Sequence, residues 1–132
     1  MTYNVIITGT RSFNNYELLV KKCDYYLSTF SGDGDSDSDS DYDVNIITGD
    51  DGTAEMMAQR YAEENNYPVT VYHLDTEKYT GKAGKIRNTN MVDDSDYAIC
   101  FWNGKSGGVK STINLCKQKG IPCKIIVYTL DK

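Results

Sequence analysis

Five short runs rich in β-branched and aromatic residues recur along this chain, and segments of helical pattern separate them. The runs are YNVIIT (3–8), VNIIT (44–48), VTVYHL (69–74), YAICFW (97–102) and CKIIVY (123–128). Several of them are nearly continuous in apolar residues, which is typical of strands that are covered on both faces. Strands and helices in alternation predict a parallel sheet with helices on both of its faces.

Three of the intervening segments carry an apolar stripe at helical spacing. The stripes are Tyr16, Leu19, Val20, Cys23, Leu27 and Phe30; Ala54, Met57, Ala58, Tyr61 and Ala62; and Val109, Ile113 and Cys116. We expect the second helix to end near Asn65 and Pro68, and the last helix to end at Gly120. A chain of 132 residues has room for one such core. We therefore expect a single α/β domain over residues 1–132, a three-layer Rossmann-like parallel sheet of about five strands.

One segment departs from this pattern. The stretch SGDGDSDSDSDYD (31–43) holds six Asp and no basic residue, so the rest of the chain is close to neutral although the net charge is −5. Gly, Ser and Asp bury too little apolar surface to offset the entropy of ordering them, so we expect a disordered, solvated loop. Its alternating Asp resembles a calcium loop. Ser38 stands where that loop has its turn glycine, however, and Val44 stands where it has the bidentate Glu, so we expect no metal there.

Other features limit the compartment and the class of partner. No stretch approaches the roughly 18 unbroken apolar residues of a membrane helix, and the N-terminus lacks the basic start and apolar core of a signal peptide. Cys23, Cys100, Cys116 and Cys123 show no zinc spacing and are interpreted as free core thiols. We expect a cytoplasmic protein that requires no membrane, metal or cofactor. A pI near 4.7 and the acidic segment disfavour binding of a nucleic acid.

Three of the predicted strands end in turns of similar composition: TGTRS (8–12), TGDDGTAE (48–55) and WNGKSGG (102–108). The carboxyl ends of parallel strands meet at one edge of the sheet, where helix N-termini direct unpaired N–H groups. The turns combine glycines with hydroxyl and cationic side chains, a combination that suits a phosphate-like anion. None of them matches the P-loop or the dinucleotide-binding glycine motif.

The segment GKAGKIRNTNM (81–91) adds a local group of hydrogen-bond donors. Lys82, Lys85, Arg87 and Asn88 can supply charge-assisted hydrogen bonds to a phosphate, with the dipole of a helix start adding to them. Arg87 is the strongest candidate, because its planar fork binds an anion with defined geometry. The alternative is that these are solvated surface residues.

The order of these motifs resembles a known family. VIITGTRSF, IITGDDGTAE, KYTGKAGKIRNTNM, AICFWNGKSGG and GIPCKIIVY together resemble the SLOG superfamily of Rossmann-like nucleotide-binding proteins, and within it the YspA/YpsA-related group. The resemblance spans nearly the whole chain, with the acidic segment as an insertion. It implies a nucleotide-binding domain. The superfamily includes enzymes that hydrolyse nucleotides and domains that only bind nucleotide-derived ligands.

The resemblance also implies a set of ligand-binding residues. They are Gly9, Thr10, Arg11 and Ser12; Gly49, Asp50, Gly52 and Thr53; Arg87 and Asn88, which would reach the pocket from a helix start; and Gly104, Ser106, Gly107 and Gly108. The chain departs from the family pattern in three ways. Asp50 stands where many relatives have a second glycine, Gly108 stands where Thr is usual, and the stretch GGVKST lacks the Glu of the related phosphoribohydrolases.

A few further side chains are candidates for roles at this site. Trp102, Tyr79 and Tyr3 are available to stack on a base. Glu55 is the one residue that we nominate as catalytic, although Glu in the first turn of a helix also stabilises the helix dipole. His73 has no evident catalytic partner, which favours a structural or surface role.

These observations lead to three hypotheses of function. The first is a sensor or sequestering protein that binds a nucleotide-derived, ADP-ribose-like signalling molecule. The second is a phosphoribohydrolase-like enzyme that hydrolyses an N-glycosidic bond. The third is an interaction module whose partner recognises the acidic segment. The resemblance also implies a homodimer or higher homo-oligomer.

Overall fold

All five expected strands form, and they pair in one parallel sheet. The computed structural model describes residues 2–28 and 43–128. The strands are β1 (Thr2–Gly9), β2 (Asp43–Gly49), β3 (Val69–Tyr72), β4 (Tyr97–Trp102) and β5 (Cys123–Val127). The helices are α1 (Tyr16–Ser28), α2 (Thr53–Glu64), α3 (Ala83–Asp93) and α4 (Gly107–Lys119). The predicted α/β class with a five-stranded parallel sheet is confirmed.

The strand order is β3-β2-β1-β4-β5. The chain therefore adds β2 and β3 on one side of β1, and then β4 and β5 on the other side. In the register, Ile6 lies beside Ile47 of β2 and beside Ala98 of β4. Strands added on opposite sides of β1 through right-handed crossovers require their helices on opposite faces. Accordingly, α1 and α2 cover one face, and α3 and α4 cover the other.

Alternation along the central strands divides the apolar side chains between two cores. Val5 and Ile7 of β1 pack toward α1 and α2, whereas Ile6 between them packs toward α3 and α4. All three are fully buried. Burial on both faces explains why these strands are continuous apolar runs in the sequence.

Helix α3 corrects the prediction for the donor-rich segment. The side chains that α3 buries include Arg87 and Asn88 beside Met91 and Val92, so no continuous apolar stripe marks this helix. The helix begins at Ala83, which places Arg87 and Asn88 in its second turn. The expectation that they lie at a helix start is therefore wrong, and the effect of the helix dipole, which falls off within the first turn, is weaker at their positions.

Several segment boundaries differ from the expectation. β3 ends at Tyr72, two residues before the predicted end. Asp43, the last residue of the acidic segment, is the first residue of β2. The rest of that segment, 31–42, lies outside the described residues, as does Phe30 of the first predicted stripe. Among the helices of residues 2–28 and 43–128, none is long and apolar enough to cross a membrane.

The C-terminus of α4 depends on a left-handed glycine. Gly120 has φ 85°, and its N–H donates to the Cys116 carbonyl at 2.8 Å. We expect Gly120→Ala to lower the free energy of unfolding by about 1–2 kcal/mol, because a Cβ clashes with the following carbonyl in this conformation. Urea unfolding measures the loss. Gln118→Ala, at an exposed position of α4, is the matched control, and equal stability of the two variants would contradict the prediction.

Candidate functional site

A cavity of about 280 Å³ opens at the carboxyl edge of the sheet, beside the end of β1 where the strand order reverses. This is the position at which open α/β sheets bind their ligands. The lining residues come from the end of β1, from the turns that follow β1 and β2, from the start of α2, from α3 and from the start of α4: Thr8, Gly9, Arg11, Asp51, Glu55, Arg87, Asn88, Ser106, Gly108, Val109 and Thr112. The three glycine-containing turns therefore contribute to one cavity.

Backbone hydrogen bonds tie the first turn to the other two. The Thr10 N–H donates to the Phe101 carbonyl at 2.9 Å, and the Thr10 hydroxyl accepts from the Asn103 N–H at 3.1 Å. On the other side, the Thr53 N–H donates to the Arg11 carbonyl at 2.9 Å. The turns thus hold one another in place before any ligand binds. Thr10 and Thr53 act through these bonds and do not line the cavity.

Glu55 is buried, with 4% of its surface exposed. Its Oε2 accepts from the Thr8 hydroxyl at 2.8 Å, and its Oε1 accepts from the Asp51 N–H at 2.7 Å. The Arg87 Nη1 lies 3.6 Å from the same Oε1. The carboxylate therefore joins the end of β1, the second turn and α3. Because both of its oxygens accept hydrogen bonds, the Glu55 carboxylate fixes the positions of Thr8 and Asp51.

Arg87 lines the cavity beside Glu55. Its Nε and Nη2 donate to Asn88 Oδ1 at 3.3 and 3.1 Å. Its Nη1 is buried and has no hydrogen-bond partner among the residues that the structure describes. A buried guanidinium N–H without an acceptor is costly and rare, and the charge of this nitrogen is compensated by Glu55 Oε1, 3.6 Å away.

Gly49 makes room for this ion pair. A Cβ at Gly49 would lie 2.3 Å from Arg87 Nη1 and 2.7 Å from Glu55 Oε1. Both distances are far below a van der Waals contact. Gly49 does not line the cavity, yet it lets the end of β2 pack directly against the two charged side chains.

The start of α4 supplies backbone donors. Ser106 is the N-cap, and its side chain accepts from the Val109 N–H at 3.4 Å. The amides of Gly107 and Gly108 occupy the first two positions of the helix, which have no acceptor within the helix. A Cβ at Gly107 would meet nothing within 4 Å, and one at Gly108 would meet only Ser106 Oγ at 4.0 Å. The space that a side chain would enter at these two positions is therefore open.

The charges that line the cavity balance one another. Arg11 pairs with Asp51 at 2.9 Å across the opening, with 78% of the Arg11 side chain and 24% of the Asp51 side chain exposed. Arg87 pairs with Glu55 in the interior. These four side chains therefore give the cavity lining no net charge.

Seven of the residues predicted to form the site line the cavity: Gly9, Arg11, Glu55, Arg87, Asn88, Ser106 and Gly108. The other predicted residues are outside its lining: Thr10, Ser12, Gly49, Asp50, Gly52, Thr53, Lys82, Lys85, Trp102, Gly104 and Gly107. Lys82 and Lys85 are exposed at the start of α3, and Lys85 borders a separate groove with Lys110. Of the donors in segment 81–91, the fold thus brings Arg87 and Asn88 to the cavity.

The aromatic residues considered for stacking are placed elsewhere. Trp102 packs on the core beneath α3 and α4, and its Nε1 donates to the Ser106 carbonyl at 3.0 Å. Tyr3 lies at the opposite end of β1 from Gly9, roughly 20 Å away, so its predicted stacking role is wrong. Tyr79 precedes α3 and does not line the cavity.

Four lining residues were absent from the predicted set: Thr8, Asp51, Val109 and Thr112. Thr8 and Asp51 lie inside the turns 8–12 and 48–55, so the turns were located correctly although these two residues were not assigned to the ligand. Thr112 lies one helical turn after Gly108 and donates to the Gly108 carbonyl at 3.4 Å. Its spacing of four residues is the available signal.

His73 has a partner that its sequence context did not indicate. It follows β3, and its Nδ1 lies 2.5 Å from Asp50 Oδ2. The His73 side chain is 72% exposed. The pair joins the turns that follow β2 and β3, outside the cavity lining, in agreement with a surface role.

Comparisons with known proteins address the family of this chain. A search of the curated proteins and a search of the solved structures each found no match. A family model described as the YspA, cpYpsA-related SLOG family (YAcAr) matches residues 3–79, which is more than half of the chain and includes the first two turns of the site. The chain therefore belongs to the YspA, cpYpsA-related SLOG family, and this membership points to binding or processing of nucleotide-related molecules.

Proposed function

We propose that this protein binds a phosphorylated, nucleotide-derived small molecule in the cavity, as a sensor or sequestering protein for an ADP-ribose-like signalling molecule. The observation that carries the proposal is the presence of two kinds of unfilled donor at one cavity. These are the backbone amides at the start of α4, which have no acceptor within the helix, and the Arg87 guanidinium, whose Nη1 lies 3.6 Å from Glu55 Oε1 without a hydrogen-bond partner among the described residues. Phosphate oxygens are the acceptors that both kinds of donor favour.

The other lining groups favour a ligand that also carries hydroxyl groups. Asp51 is partly exposed at the opening and can accept hydrogen bonds from sugar hydroxyls. The volume of about 280 Å³ is just below the roughly 300–1,000 Å³ of most ligand pockets. A phosphorylated ribose fits this size and polarity, with the remainder of the ligand outside the cavity.

Binding without turnover is favoured over hydrolysis by the contacts of Glu55. Its oxygens accept from Thr8 and Asp51, and its charge is paired with Arg87. A general acid or base needs an oxygen that is free to reach the reacting atom of the substrate. Glu55 as the catalytic residue of an N-glycosidic hydrolase is therefore the second candidate function.

A negative charge placed at the start of α4 tests the binding mode. We expect Gly108→Asp to raise the Kd for AMP, ADP or ADP-ribose at least about 10-fold in calorimetric titrations, because the new carboxylate occupies the proposed phosphate position. The fold should tolerate the change, since the space is open and an Asp in the first turn stabilises a helix.

The matched control is Gly84→Asp, the same substitution in the first turn of α3. A Cβ at Gly84 would meet nothing within 4 Å, and Gly84 does not line the cavity. We expect its affinity to equal that of the wild type. Equal affinities of the wild type and Gly108→Asp for every nucleotide that binds would reject the proposed phosphate position.

Turnover is tested separately by incubating each nucleotide with the protein, denaturing the mixture and identifying the products by mass spectrometry. Recovery of the intact ligand supports a binding protein. Release of free base and ribose phosphate would overturn that proposal and favour the hydrolase. In that case Glu55→Gln should abolish product formation while leaving most of the affinity.

A further inference from the structure

The side-chain amide of Asn88 has a fixed orientation. Asn88 Oδ1 accepts hydrogen bonds from Arg87 Nε and Nη2 at 3.3 and 3.1 Å. A guanidinium group donates hydrogen bonds and accepts none, so the Asn88 amide must present its oxygen to Arg87. The amide oxygen and the amide nitrogen lie on opposite sides of the carbon that joins them. The N–H donors of the Asn88 side chain are therefore directed away from Arg87.

Contacts on the other side of Arg87 hold this arrangement in place. Arg87 Nη1 lies 3.6 Å from Glu55 Oε1, and both side chains are buried. Glu55 in turn accepts hydrogen bonds from the Thr8 hydroxyl and the Asp51 N–H. A chain of contacts thus runs from the end of β1 through Glu55 and Arg87 to Asn88. The amide is oriented before a ligand arrives, which lowers the entropy cost of binding.

The nitrogen of the Asn88 amide has no acceptor within the described parts of the chain. Asn88 lines the cavity, and only 6% of its surface is exposed. No group in residues 2–28 and 43–128 accepts a hydrogen bond from Asn88 Nδ2, yet this nitrogen is not enclosed by protein as Arg87 Nη1 is. A nearly buried amide with unused N–H donors beside a cavity is suited to an acceptor from outside the chain.

We propose that Asn88 is a specificity-determining residue of the cavity: its side-chain N–H donates to a phosphate oxygen of the ligand and selects phosphorylated ligands over their unphosphorylated counterparts. This inference rests on the proposed nucleotide binding and deepens it. Asn88 and Gly108 line the same cavity from α3 and α4, so a phosphate bound there has donors on both helices. A phosphate offers several acceptor oxygens, and a hydrogen bond to an anion is about twice as strong as a neutral one. Arg87 acts as the positioning residue that fixes the amide.

Asn88→Asp in the full chain separates donation to the ligand from positioning of Arg87. The carboxylate keeps the oxygen that faces Arg87 and replaces the N–H donors with a second acceptor, so the fold should be retained. We expect the Kd for AMP in NMR titrations to rise at least about 10-fold, while the Kd for adenosine changes less than about threefold. An AMP affinity equal to that of the wild type would show that Asn88 only positions Arg87, and would overturn the inference.

Asn103→Asp is the matched control for the added negative charge. Asn103 Oδ1 accepts from the Lys105 and Ser106 N–H groups at 2.8 and 2.9 Å, so Asp at this position also keeps its hydrogen bonds. Asn103 lies in the turn before α4 and does not line the cavity. We expect its Kd for AMP to stay within about threefold of the wild-type value, because exposed charges are screened. An equal rise in both Asp variants would attribute the effect to charge alone and reject the role of the Asn88 donor.

Measurements on the wild type complete the test and do not depend on the folding of a variant. The side-chain amide signal of Asn88, assigned through the carbons of the same residue, should shift when AMP is added and shift much less with adenosine. An unshifted Asn88 signal at saturating AMP would contradict the inference. Equal affinities of the wild type for AMP and adenosine would reject the selection by Asn88 and leave nucleotide binding intact. Binding of neither AMP nor ADP-ribose would reject the proposed function, and this inference with it.

Discussion

Arg87→Ala is expected to lower the free energy of unfolding by about 3–5 kcal/mol, the cost of leaving one member of a buried ion pair without its partner. Glu55 remains 4% exposed beside the gap and loses its only cationic neighbour among residues 2–28 and 43–128. Glu55→Ala should be similarly destabilising, because it leaves the Arg87 charge buried. Urea unfolding monitored by circular dichroism measures both changes.

The double variant distinguishes an ion pair from two independent contacts. We expect Glu55→Gln combined with Arg87→Met to cost less than the sum of Glu55→Gln alone and Arg87→Met alone, because neither side chain of the double variant carries a charge. Arg60→Ala is the control: its ion pair with Glu64 is exposed, with 58% and 50% of the two side chains accessible, so stability should change little. Losses of equal size at Arg87 and Arg60 would show that burial of the first pair has no energetic consequence.

Gly49→Ala is expected to lower the free energy of unfolding by about 1–3 kcal/mol, and by more if it separates the ion pair. The added methyl group would lie 2.3 Å from Arg87 Nη1, so the guanidinium has to move away from Glu55. Equilibrium unfolding measures the loss. The same substitution in the Arg87→Ala background should cost less, since the truncated side chain leaves room for the methyl group.

Gly84→Ala is the control for this prediction. A Cβ at Gly84 meets nothing within 4 Å, and Ala has the higher helix propensity, so this variant should be more stable than the wild type by about 0.5–1 kcal/mol. A Gly49→Ala variant as stable as the wild type would mean that Arg87 does not pack against β2 in solution.

The three turns of the site illustrate how far the sequence predicts it. Parallel strands put their carboxyl ends at one edge, so turns 8–12, 48–55 and 102–108 were expected to converge, and residues from each line the cavity. The assignment within the turns was less accurate. Gly49 and Thr10 were expected to contact the ligand, but they hold other parts of the site, because turn composition does not show which side of a turn faces the opening.

Segment 81–91 shows a second limit of predicting site residues from the sequence. Four donors within a few residues suggested one cluster, yet Lys82 and Lys85 are exposed while Arg87 and Asn88 are buried at the cavity. The period of a helix separates them, and the starting point of α3 decides which residues face inward. Because α3 buries the polar residues Arg87 and Asn88, its buried face does not show as a helical period of apolar residues in the sequence.

Residue order and chemistry alone determined the fold class of this protein and the edge of the sheet at which its site lies. Continuous apolar strands must be covered on both faces, and parallel strands must end together. Tertiary structure alone decided the contacts of Glu55 and Arg87 and the contact between Cys100 and Cys123. Each of these groups joins residues that are far apart in the chain, and their distances depend on how helices and strands pack, which local patterns do not encode.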